Sequence, residues 1–79
     1  MGDYVLLSKL STKDVVNIAT GEKLGKIRDL DIDITTGKIN YFIVSVNQNI
    51  SNLFKNNRRI NIDFSKIVKV GDEIILVEK

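Results

Sequence analysis

NIATGEKLGKIRDLDIDITTGKINYFIVSV, residues Asn17–Val46, decides the fold of this chain. It reads strand, tight turn, strand, tight turn, strand. The turns are Ala19-Thr20-Gly21-Glu22 and Thr35-Thr36-Gly37-Lys38. Leu24–Ile34 and Ile39–Val46 are the strands that the turns mark off. A meander of antiparallel strands in a chain of 79 residues points to a small all-β barrel or sandwich.

Within Leu24–Ile34, the apolar residues Leu30, Ile32 and Ile34 alternate with Asp29, Asp31 and Asp33. That alternation predicts a half-buried strand face. Ile27 has the opposite parity. A period of two cannot absorb that switch without an extra residue, so a β-bulge is expected near Arg28-Asp29. Gly25 suits a bend or a close backbone approach.

In Ile39–Val46 both parities are apolar. Ile39, Tyr41 and Ile43 lie on one, and Phe42, Val44 and Val46 on the other. Glu73–Glu78 repeats the doubling, with Ile74 and Leu76 against Ile75 and Val77. A thin barrel has one interior, so a second face needs cover from a terminal segment or from another subunit. In the second case Phe42, Val44, Val46, Ile75 and Val77 are the candidate contact residues, and the chain is a candidate homodimer.

Outside the meander, Tyr4–Leu7 reads as a first strand and Lys13–Ile18 as the next. Ser11 with Asp14 resembles a capping box, but the β-branched pair Val15-Val16 leaves space for one helical turn at most. After a polar, Asn-rich loop over 48–59 come a short strand Ile60–Ile62 and a single turn Phe64-Ser65-Lys66 capped by Asp63. The strand Ile67–Val70 follows, then the turn Gly71-Asp72 and the closing strand.

The bulk properties describe one domain, 1–79. A chain this short buries about 60–65% of its unfolded surface, and it contains no cysteine to staple it. Apolar residues make up 43% of the chain, as in an ordered globular domain. Twelve basic and ten acidic side chains leave a net charge of +2, so no global field marks a nucleic-acid binder. With no His and no Cys, a Cys/His zinc site, a Ser-His-Asp triad and a cysteine nucleophile are excluded. The apolar runs fall far short of the ~20 residues that span a bilayer. Asp3 stands where a signal peptide carries basic residues, and Tyr4–Leu7 is too short for its apolar region. A cytoplasmic location is expected.

Two motifs carry no chemistry. Asp29, Asp31 and Asp33 have the alternation of an EF-hand loop, but Ile34 and Asn40 stand where its glycine and final glutamate belong. An exposed strand face, with Lys26, Arg28 or Lys38 offsetting the charge, accounts for them. Gly21-Glu22-Lys23-Leu24-Gly25 lacks the Gly-Lys-Ser/Thr ending of a phosphate loop and precedes no helix.

The 48–59 loop is the candidate site. Leu53 and Phe54 are large apolar residues in a polar setting. Lys55, Arg58 and Arg59 lie in a stretch without an acid. Aromatic plus basic composition suits a protein hot spot or an RNA contact. The alternative is that Leu53 and Phe54 plug one end of the barrel and leave a solvated basic rim.

Taken in order, several segments resemble the PRC-barrel domain family. Val5–Val16 is similar to its opening, and Gly21–Ile27 to its glycine-marked hairpin. Asp31-Ile32-Asp33 with Thr36–Ile39 resembles its next turn, and Ile60–Ile67 with Val70–Val77 its close. The resemblance covers nearly everything outside the Asn-rich loop. It is nearest to the YlmC/YmxH sporulation-associated group of spore-forming Firmicutes. Where the family commonly has a Pro-aromatic pair, this chain has Asp63-Phe64. The resemblance implies a small six-stranded antiparallel β-barrel with one or two single-turn helices. It also implies a non-enzymatic protein-interaction module, with no catalytic residues and no cofactor. The partner would be a protein of unspecified identity, met through an apolar strand face, the 48–59 loop, or both. The alternative is an RNA- or ribosome-associated factor, by analogy with the PRC barrel of the ribosome maturation factor RimM. The near-neutral charge disfavours nucleic acid.

Overall fold

Six strands form one sheet in the order β4-β3-β2-β1-β6-β5. The computed structural model describes residues 4–46 and 58–78. The strands are β1 (Asp14–Asn17), β2 (Lys23–Asp33), β3 (Lys38–Val46), β4 (Arg59–Asp63), β5 (Ile67–Val70) and β6 (Ile74–Val77). A helical turn, α1 (Leu7–Leu10), precedes them, and a short 3-10 helix, η1 (Phe64–Lys66), links β4 to β5.

The meander stands as expected. At its second turn the Gly37 amide donates to the Asp33 carbonyl at 2.6 Å, with Gly37 at φ +79°. The Asp33 carboxylate accepts from the Thr35 amide at 2.9 Å and so fixes the corner.

The expected bulge is present. Ile27 faces Val44 and Asp29 faces Ile43, so Arg28 is the extra residue. Gly25 has φ +143°, and a Cβ there would collide with the Ser45 carbonyl oxygen. Only glycine lets β2 approach β3 this closely.

Several expectations are corrected. Tyr4–Leu7 is not a strand. Leu7 opens α1 instead, with the Leu10 amide donating to the Leu6 carbonyl at 3.0 Å and Leu10 buried in the core. Ser11 and Thr12 close this turn by donating their hydroxyls to the Ser8 and Lys9 carbonyls, so Ser11 ends a helix and caps no helix start.

The sheet is mixed, not purely antiparallel. β6 runs parallel to β1, with Asp14 opposite Ile74 and Asn17 opposite Val77. Nor does it close into a barrel ladder. β4 and β5 are its two edges, and they are joined through η1, which turns the chain before the two can pair. Asp63 precedes η1 as expected, but its carboxylate makes no capping hydrogen bond.

Finally, only Leu30 of the alternating face packs against the core. Ile32 is exposed and Ile34 is 92% exposed, because the β2–β3 hairpin runs past the end of the core.

The core comprises Leu10, Val15, Leu24, Ile27, Phe42, Val44, Ile62, Ile75 and Val77. Phe42, Val44, Ile75 and Val77 are therefore covered within the one chain, and they are corrected as subunit-contact candidates. Val46 is half-buried. A second bulge explains the doubled parity of β3. Asp31 faces Tyr41 while Ile32 faces Ile39, which leaves Asn40 as the extra residue. Ile39 thereby joins the core side, while Tyr41 and Ile43 point outward, half-exposed.

Candidate functional site

The cross-strand register builds the outer face residue by residue. Arg59, Ser45 and Lys26 form one row across β4, β3 and β2. Asn61, Ile43 and Asp29 form the next, and Asp63, Tyr41 and Asp31 the third. All nine are exposed or half-exposed, in contrast to Phe42, Val44 and Ile62 between them.

The first row continues onto β1, where Lys26 faces Asp14. Lys26 Nζ donates to Asp14 Oδ1 at 3.0 Å and to the Thr12 carbonyl at 3.1 Å. Lys23 Nζ lies 3.6 Å from Asp14 Oδ2. The hydrogen bond from Lys26, helped by the nearby charges of Lys23 and Lys26, holds the Asp14 carboxyl below its ordinary value against a smaller opposing effect of burial. Two cations share one carboxylate, so this end of the face keeps a positive surplus. Beneath it, the buried Lys13 donates from Nζ to the Asp72 carbonyl at 2.6 Å.

The acidic end is arranged differently. Asp29 Oδ1 accepts from the Leu30 amide at 2.9 Å, and Asp31 Oδ2 accepts from Asn40 Nδ2 at 2.8 Å across the second bulge. Among the described residues no cation lies within ion-pair distance of Asp29, Asp31 or Asp33, and no group of acids is placed to hold a metal. Asp29 and Asp33 thus organise their own backbone, and Asp31 ties β2 to the Asn40 side chain on β3.

The interior, lined by Val15, Phe42, Ile62 and Ile75 among others, has no space for a water molecule. Concavity lies outside. An open groove of about 430 Å³ runs between β3 and η1, lined by Ile39, Tyr41, Asp63 and Phe64 among others. A second, of about 210 Å³, lies between β4 and the chain around Lys66 and Glu78. Phe64 is 52% exposed, with its ring centroid 6.0 Å from that of Phe42.

Of the loop residues singled out in the sequence, Arg58 and Arg59 are exposed at the start of β4. The Arg58 carbonyl accepts from the Val46 amide at 2.9 Å. Leu53, Phe54 and Lys55 lie outside the described residues. Tyr41, Ile43 and Phe64 were not predicted as surface groups. For the first two the signal was available only as the apolar parity opposite to Phe42 and Val44.

The PRC-barrel domain model matches residues 2–79. The chain belongs to the PRC-barrel domain family. The probable sporulation protein YlmC of Bacillus subtilis (strain 168) is 41% identical to this chain over 73 residues, covering 92% of it and 90% of that protein. An uncharacterized protein of Clostridium acetobutylicum is 34% identical over 71 residues, covering 90% of this chain and 80% of that one. In this PRC-barrel chain, as described above, the sheet is open and mixed.

Proposed function

We propose that the protein is a non-enzymatic protein-interaction module acting in sporulation, which docks through the outer face of β2–β4 and the adjoining 48–59 loop. Similarity to a probable sporulation protein supports the process. The observation that carries docking is the outer face itself. Half-exposed Ile43 sits between the basic row and the acidic row, which itself carries half-exposed Tyr41, and the groove beside Phe64 continues that surface. Apolar and aromatic groups with a charged rim are the anatomy of a recognition surface.

The test is affinity capture from sporulating Bacillus subtilis extracts, with and without nuclease. The wild-type chain is compared with a Tyr41→Ala/Phe64→Ala face variant and a Phe54→Ala/Arg58→Ala/Arg59→Ala loop variant. Docking predicts a protein that survives nuclease and is lost with one or both variants. Recovery limited to ribosomal material that disappears with nuclease would replace this reading with the RNA-associated one.

A further inference from the structure

We infer that the outer face of β2–β4 binds a second copy of this chain, in a two-fold dimer whose axis crosses the strands through Ile43. The inference rests on the reading of this face as a docking surface and names its occupant.

The three rows of the face are symmetric about the middle one. Arg59 and Asp63 are the two ends of β4, and Lys26 and Asp31 flank the middle row on β2. A two-fold axis along the middle row exchanges the outer rows. Arg59 of one copy then meets Asp63 of the second, and Lys26 meets Asp31 of the second. Both pairs form twice, as an isologous interface requires. On β3 the same operation places Tyr41 over the small Ser45 of the second copy, and Ile43 against its own counterpart. Charge, size and apolarity are complementary under one operator. The face therefore fits itself better than it fits an all-acidic or all-basic partner, which would find one row repulsive.

One pairing opposes the dimer. Asp29 lies in the middle row on β2, so the axis brings it towards its own counterpart. Asp29→Asn should accordingly tighten the dimer. A three-strand face is small beside the ~800 Å² per partner of a standard interface. The dimer is thus expected in the micromolar range, weakened by salt because its charges lie near solvent.

The test is sedimentation equilibrium of the full chain at low salt, up to about 0.5 mM. Wild type should reach dimer. Arg59→Asp and Asp63→Arg each put like charges in contact twice and should raise the dissociation constant at least about a hundredfold. The double swap Arg59→Asp/Asp63→Arg restores complementarity and should recover dimerisation, as should an equimolar mixture of the two single variants. Circular dichroism checks that each variant is folded. If a single variant unfolds, the salt dependence of wild type and the tightening by Asp29→Asn decide the matter. A wild-type chain that stays monomeric, or single variants that dimerise like wild type, would overturn the inference. A monomer that still captures a partner lost with the Tyr41→Ala/Phe64→Ala variant would leave the docking reading standing and remove only its self-association.

Discussion

Gly25 and Asp14 show how much single positions decide here. At Gly25 any side chain must displace the β3 backbone at Ser45, and the backbone sits at a positive φ. Gly25→Ala should cost at least about 3 kcal/mol in urea unfolding. That is a large part of the stability of a domain this size. Asp14 yields a pH test. Its pKa is lowered on folding, so its contribution is present above the unfolded value of about 3.9 and is lost as pH falls through the folded one. The melting temperature of Asp14→Asn should lie below that of wild type near neutrality. The gap should close below about pH 4. A gap that persists at lower pH would mean that Asp14 does not act through its charge. Gly25 was readable in the sequence as a glycine inside a strand. The Asp14 cluster was not, because it depends on pairing β1 with β2 across a third bulge, between Val15 and Val16.

At the scale of elements, β2 and β3 separate what a pattern reveals from what it hides. The bulge at Arg28 was legible because apolar parity changes across it. The bulge at Asn40 was hidden, because Ile39 and the run Tyr41–Val44 are apolar on both sides of it. The same masking left Phe42 and Val44 as candidates for a subunit contact, whereas they belong to the core. The alternation of Ile32 and Ile34 was real, but periodicity says nothing of where the core ends. Two substitutions separate these cases. Ile75→Ala, in a fully buried position, should lower stability by about 3 kcal/mol. Ile34→Thr, at the projecting hairpin, should change it by less than about 0.5 kcal/mol. Comparable losses at both would mean that the hairpin tip is covered in solution.

For the whole molecule, the meander and the all-β class followed from local signals, and the closure did not. Hairpin turns announce antiparallel neighbours in sequence. Nothing local announces that β6 will lie parallel to β1, a pairing of residues some sixty positions apart. The same gap explains why a closed antiparallel barrel was expected and an open mixed sheet is found. As for the candidate site, composition drew attention to the 48–59 loop. The outer face became visible only when register placed Arg59, Lys26, Asp63 and Asp31 in facing rows.

The parallel pairing also bears on how the protein is made. Two neighbours in the sheet, β1 and β6, come from opposite ends of the described chain, and the Ile18 amide donates to the Val77 carbonyl at 2.8 Å. During synthesis β1 to β5 emerge first, yet β5 can reach the sheet only through β6. The nascent chain should therefore stay protease-sensitive until Val77 has left the ribosomal tunnel, then become resistant in one step. Arrested chains of increasing length, probed by limited proteolysis, would report that step. Protection arising once β4 has emerged would show that the meander folds by itself.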